Sequence, residues 1–315
     1  MTVQKPRILV IGDTSVEQTV KVDGFPEVNT VAEADLCDCL PGGDGTFIAV
    51  AMARLGGDSV LCTSMGDDTY ASDLAEYFKA EGVDPRFAVM KRGESTATDI
   101  EIKSRDGDRR ISYRGALTRL APEDVEEAFV SYPDGAVLSG RLPAQAIDEV
   151  VKQCGKQQIP LFITGLPDPS GYPISRLGDC ELLVVDSDEA YRFTGIRPSD
   201  QEKCMRACIA LGQRINAKYV VIRLEERGSF LFDGMYYNFF PALDVPDVEG
   251  VSSDSAFAAA LVLEYLRSEG NIKHACDFAT VVSALFMTRG GGLRACPGDE
   301  DVKRFMARNG IKLEY

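Results

Sequence analysis

The chain has 315 residues, 45% of them apolar, enough to bury a large core, which excludes a disordered chain and suits one large α/β domain with a small appendage. Its net charge of −15 repels nucleic-acid phosphates and anionic lipids, so neither nucleic acid nor membrane is an expected partner, and any phosphate site has to be local: backbone N–H groups, a metal ion or a few basic residues. The 9 cysteines and 1 histidine fit no zinc ribbon, because the near pairs Cys37/Cys39 and Cys204/Cys208 lack a second pair and His274 stands alone.

The first strand is expected at 7–11, a short apolar run closed by Gly12. It starts too early to leave room for a targeting segment, and no apolar run reaches the roughly 18 residues of a membrane helix. The expectation is a reduced, cytoplasmic protein. Strand-like patches follow at 18–22 and 31–36, with no helix before a helical spacing at 46–55 that ends on Gly56-Gly57. A strand at 59–63 and a helix at 71–80 come next. Segments 95–103 and 110–114 alternate around Asp106-Gly107-Asp108 and predict a hairpin. Short apolar strands at 136–139, 161–164, 182–185 and 219–223 alternate with helical stretches at 144–156, 188–194 and 201–215. This rhythm predicts a doubly wound, mainly parallel sheet flanked by helices. The patches within 14–40 and 95–115 break it and are assigned to a small β-sheet lid on a single domain spanning 1–315.

Four clusters carry candidate chemistry. Pro41-Gly42-Gly43-Asp44-Gly45 opens a helix, either as a close backbone approach to a ligand or as a tight turn. It is no Walker A loop, since no Gly-Lys-Ser/Thr follows, and no dinucleotide fingerprint, since Pro41 rather than a strand precedes it. Ser64-Met65-Gly66-Asp67-Asp68 follows a strand, and its acids read as crevice ligands or, more simply, as helix caps. Asp186-Ser187-Asp188-Glu189 reads as a site for hydrated Mg²⁺ or as a capping cluster. In the fourth, Gly250-Val251-Ser252-Ser253-Asp254-Ser255 precedes an apolar helix at 256–266. Small residues at a helix start can cradle a phosphate, and an adjacent Asp can take a hydroxyl proton; Ser and Asp are also ordinary N-caps.

In this order and spacing the clusters resemble the ribokinase-like (PfkB) carbohydrate kinases, most strongly over 41–68 and again at Glu81-Gly82-Val83-Asp84. The resemblance implies a ribokinase-like fold whose lid closes over the sugar and often makes a homodimer. It also implies transfer of a phosphoryl group from ATP·Mg²⁺ to a hydroxyl of a sugar or polyol. Residue by residue it puts Gly42 and Gly43 against the sugar, Glu189 near Mg²⁺ and phosphate, Gly228 in the nucleotide-side turn, and the segment 288–292, with Gly291, near the adenine. Where the family carries Gly-Ala-Gly-Asp, a gap-free match puts Ser252, Ser253 and Asp254 at the first three positions and Ser255 at the base. One inserted residue makes Asp254 the base, behind Gly250. Further departures are Phe47 for a sugar-binding Asn, Glu17 for an Asp, Asp186 for the Asn of Asn-x-x-Glu, and Arg223 with Glu225 for a Thr and a Gly. Arg141 adds a cation on the sugar side. The expected function is ATP-dependent phosphorylation of a sugar-like hydroxyl; the alternative is a catalytically impaired relative that binds a small molecule or regulates. A dinucleotide oxidoreductase ranks last, for want of the fingerprint.

Overall fold

In a computed structural model, which describes residues 5–167, 171–246 and 252–313, strand β1 (Arg7–Ile11) is an interior strand of a nine-stranded sheet. Its side chains alternate between two cores: Ile8 and Val10 join one, Leu9 and Ile11 the other. A strand buried on both faces needs a continuous apolar run, and 8–11 is such a run. β1 pairs in parallel with β4 (Asp58–Met65) on one side and β8 (Gly135–Ser139) on the other. Beyond β4 lies β5 (Asp84–Met90); beyond β8 come β9 (Leu161–Thr164), β10 (Asp179–Val185) and β11 (Asn216–Arg223), all parallel. β12 (Gly228–Phe232) and β13 (Tyr237–Pro241) close that edge antiparallel.

Helices cover both faces. α1 (Asp44–Arg54), α2 (Thr69–Ala80), α7 (Asp254–Arg267), α8 (Ile272–Met287) and α9 (Asp299–Asn309) contribute buried residues to the core of Ile8 and Val10. The other core takes α3 (Pro122–Ala128), α4 (Ala144–Gln157), α5 (Ser187–Thr194) and α6 (Gln201–Gly212). The doubly wound expectation therefore holds, with an antiparallel edge added.

A second sheet has the order β3-β2-β6-β7, formed by β2 (Ser15–Val22), β3 (Ala34–Gly42), β6 (Thr98–Lys103) and β7 (Arg109–Tyr113). β6 and β7 make the expected hairpin. β3 runs further than the alternation at 31–36 suggested, and Pro41 and Gly42 are its last residues. The reading that no strand precedes the glycine pair is thereby corrected. Proline is tolerated there because β3 is an edge strand.

The glycines at the β1 and α1 ends permit a close backbone crossing. A Cβ on Gly45 would fall 2.6 Å from Gly12 Cα, and Gly43, at φ 92°, could carry none without meeting the Asp13 carbonyl at 2.6 Å. This crossing presses the start of α1 onto the end of β1.

Candidate active site

The sheet's chain order reverses beside β1, with β4 and β5 on one side and β8 to β11 on the other. At such a point the loops leaving neighbouring strands diverge and open a crevice at their carboxyl ends. A cleft of about 250 Å³ lies there. Its floor is Ser139, Thr164, Val185, Asp186 and Arg223, from the ends of β8, β9, β10 and β11; its walls come from Asp44 and Ile48 of α1, Glu189 of α5, and Ser252, Asp254, Ser255 and Ala258 at the start of α7.

Arg223 is the main cation among the lining residues, and it is 5% exposed. Its Nε donates to Asp254 Oδ1 at 3.3 Å, and its Nη2 to Ser253 Oγ at 3.2 Å and Ser283 Oγ at 3.1 Å. The guanidinium lies 4.2 Å from the centroid of the Phe257 ring. Burial pulls its proton affinity below the usual arginine range, against the Asp254 charge. Among the described residues no hydrogen bond uses its Nη1. Ser253 sits at the N-cap of α7 but spends its hydroxyl on Arg223 and Ser283, so no side chain caps the helix. The first-turn N–H groups and the guanidinium bring donors to this end of the cleft, where the Asp254 carboxylate offsets part of the positive charge and Ser252 Oγ accepts from Asp254 N at 3.4 Å.

The carboxylates differ in commitment. Asp254 Oδ1 takes the Arg223 bond, and Oδ2 accepts from Ser252 Oγ at 2.9 Å. Glu189 accepts from Leu166 N at 2.8 Å and Asp186 N at 3.2 Å, while Asp186 accepts from Glu189 N at 2.6 Å, a reciprocal cap of α5. Burial, and then the Asp186 charge, push the Glu189 carboxyl up to about 7 despite those amides. With both oxygens on backbone N–H groups, Glu189 has only its remaining lone pairs to offer to water around a cation. Among the described residues no group of three metal-ligating side chains converges.

Asp13 and Asp44, which the sequence reading did not single out as site residues, form an acidic pair at the β1–α1 crossing. Asp13 Oδ1 accepts from Gly45 N at 3.1 Å. Burial first, and the Asp44 charge second, push Asp13 up to about 6. Asp44 is open to the cleft but crowded by protein elsewhere, and this confinement raises its carboxyl above the usual range. Ser255 Oγ donates to Asp44 Oδ1 at 3.3 Å.

Of the residues expected at the site, Asp186, Glu189, Arg223, Ser252, Asp254 and Ser255 line the cleft, and Ser253 stands behind Arg223. Gly42 and Gly43 form the strand-to-helix turn beside it. Phe47 turns to the core, its ring edge-on to Phe286 with centroids 5.5 Å apart. Glu17 lies on β2, its carboxyl raised by burial and by Glu101. Arg141, just past β8, donates to Ser112 Oγ of β7 at 3.2 Å and acts electrostatically on Asp13 and Asp44. Gly228 begins β12, where a Cβ would meet the Phe240 carbonyl at 2.0 Å. That close approach is a structural reason for glycine. Gly291, at φ 97°, precedes the short turn Gly292–Ala295, and neither it nor Gly228 lines this cleft. Gly250 lies outside the described residues.

Comparison with known proteins bears on the family and the fold. A ribokinase of Staphylococcus aureus (strain COL) is 23% identical over 303 residues, spanning 95% of this chain and 99% of that one. Fructokinase-2 of Solanum lycopersicum is 24% identical, over 88% of this chain and 90% of its own. The structure of Arabidopsis thaliana ribokinase complexed with ribose and ATP superposes with a TM-score of 0.86 at 21% identity, covering 96% and 99% of the two chains. The last likeness is one of fold, a ribokinase-like α/β sheet with a smaller second sheet. The pfkB family carbohydrate kinases match residues 5–297, and the chain belongs to that family of ATP-dependent phosphotransferases.

Proposed function

We propose that the cleft transfers the γ-phosphoryl group of ATP·Mg²⁺ to a hydroxyl of a sugar or sugar-like molecule. The observation that carries this reading is the buried Arg223 guanidinium at the start of α7, with Asp254 beside it and Asp44, Asp186 and Glu189 lining the same cleft of about 250 Å³. Charge that develops on a transferring phosphoryl group is stabilised by fixed donors in such a place. Arg223 takes over from the small residues that the family carries there, and its Nη1, which no hydrogen bond uses among the described residues, is the donor left for a phosphate. Asp254 holds the guanidinium in place, and Ser252 holds Asp254. Mg²⁺ supplies charge neutralisation on the phosphates when bound. Asp186 and Glu189 fit a hydrated ion through water rather than by direct ligation, because their caps occupy them.

The acceptor is uncharged. Asp44, Asp186, Glu189 and Asp254 line the cleft, and a sugar already bearing phosphate meets repulsion there. Gly42, Gly43, Glu17 and Arg141 stand on the lid side and bind it. β7 is exposed along its length and is the surface for a lid-to-lid homodimer. The test is ATP turnover with D-ribose, D-fructose and inosine as acceptors, together with thermal-shift titration by ATP·Mg²⁺. Turnover of one acceptor with a nucleotide-dependent shift is expected. A chain that binds neither nucleotide nor sugar would falsify the kinase reading, and one that binds without turnover would be an impaired relative.

A further inference from the structure

An alcohol attacking phosphorus must lose its proton, and the cleft offers several carboxylates for it. Their hydrogen bonds separate them. Asp254 spends one oxygen on Arg223 and the other on Ser252. Glu189 spends both on backbone amides, and Asp186 caps the helix that carries Glu189. Asp44 differs: Ser255 engages Oδ1, and among the described residues nothing donates to Oδ2. It is exposed within the cleft, on the first turn of α1, across from the start of α7. Ser255 itself is a neutral hydroxyl and a poor proton acceptor at neutral pH.

We propose that Asp44 is the general base: its carboxylate, presented from α1, takes the acceptor's proton beside the Ser255 hydroxyl. In this step the acceptor oxygen forms a bond to the γ-phosphorus, and the bond from that phosphorus to the β,γ-bridging oxygen breaks. The bonding pair leaves with ADP, the hydroxyl proton moves to Asp44 Oδ2, and it passes to solvent after product release. Ser255 orients Asp44 through Oδ1. The charged groups acting on Asp44 are Asp13, Asp99 and Asp254, which disfavour its anion, and Arg141, which favours it. A base kept away from full ionic compensation retains the proton affinity the step needs. The inference rests on the kinase reading above, and it assigns the reaction a residue on a different helix from the α7 start.

The geometry supplies a relocation test. Positions 44 and 255 place their polar atoms in one small volume, so a carboxylate at either serves the same hydroxyl. Turnover is measured for the parent, Asp44→Asn, Ser255→Asp and the Asp44→Asn/Ser255→Asp double variant. D-ribose, D-fructose and inosine are the acceptors, and thermal shift with ATP·Mg²⁺ reports folding and nucleotide binding. Asp44→Asn is expected to lose roughly 10²–10⁴ in kcat with nucleotide binding kept. The double variant should recover at least about tenfold over Asp44→Asn, and Ser255→Asp alone should fall below the parent because two carboxylates then repel. Retention of kcat within about threefold in Asp44→Asn overturns the assignment while leaving the kinase reading intact. So does a folded, nucleotide-binding double variant no faster than the single, or a gain over the parent in Ser255→Asp. A parent that neither binds nucleotide nor turns over any acceptor removes the kinase reading itself.

Discussion

Replacing Arg223 with Met separates what the buried guanidinium does for the fold from what it does for a phosphate. Arg223 is 5% exposed, whereas the side chain of Asp254, its ionic partner, is 44% exposed. Burying the cation costs several kcal/mol, even after relaxation. Against that stand one ion pair with a half-hydrated carboxylate, two hydroxyl bonds at roughly 1.5–3 kcal/mol each for a charged donor, and a cation–π contact of about 2 kcal/mol. These opposing effects are of similar size. In the variant the Met stem keeps the apolar contact with Phe257, the Ser253 and Ser283 hydroxyls keep their mutual bond at 2.7 Å, and Asp254 turns to water. Stability should therefore change by no more than about 1.5 kcal/mol in either direction, measured by urea unfolding at neutral pH. ATP affinity should drop by about tenfold or more, the worth of one lost charge-assisted bond. A stability loss above about 3 kcal/mol would mean that the guanidinium is a structural keystone and that the balance drawn here is wrong. Unchanged ATP affinity would remove Arg223 from the phosphate.

Two further outcomes follow from the carboxylates. Asp13 sits at about 6 in the folded chain against an ordinary 3.8, so between those values the folded state binds more protons than the unfolded one. Its stabilising contribution is complete below pH 4 and is lost as pH rises through 6. Asp13→Asn should flatten that decline by on the order of 2–3 kcal/mol, read as the difference in urea stability between pH 4 and pH 7.5; an unaltered pH slope rules out the buried-acid account. Asp68 caps α2 through Ala71 N at 3.1 Å and also accepts from Thr96 N at 2.7 Å and Thr96 Oγ1 at 2.6 Å. Asp68→Ala should lose about 1–3 kcal/mol of stability and leave kcat within about twofold, whereas a ligand-binding Asp68 would show the reverse pattern.

The parallel strands were legible because burial on both faces demands short apolar runs, and 7–11 and 161–164 match their elements residue for residue. What escaped were segments whose partners decide their form. β12 and β13 are a hairpin paired antiparallel to β11 at the sheet edge, and Gly228 reads as a turn until the Phe240 carbonyl is seen against it. α8 is buried on nearly all sides, so its periodicity has no polar face to reveal it. At the site, family resemblance located Asp186, Glu189, Arg223 and Asp254, but not what each is bonded to. Asp13 was passed over, and Asp44 was read only as part of a glycine cluster, for a different reason. Each follows a glycine and looks like turn chemistry, and only the crossing of Gly12 over Gly45 sets them side by side. Signals of that kind lie in backbone clearance, which one-dimensional patterns do not record.

Arg141 gives the second sheet an electrical role. Its guanidinium donates to Ser112 on β7, and its charge also acts on Asp13 and Asp44. The position of the small sheet and the ionisation of the acids are therefore linked quantities. With Ser112 holding it, Arg141 stands where its charge favours the ionised forms of both acids. Linkage makes the effect mutual, so proton uptake by the pair loosens the hold on β7 by the same free energy. The small sheet thereby bears on the acids through the one cation it holds in place.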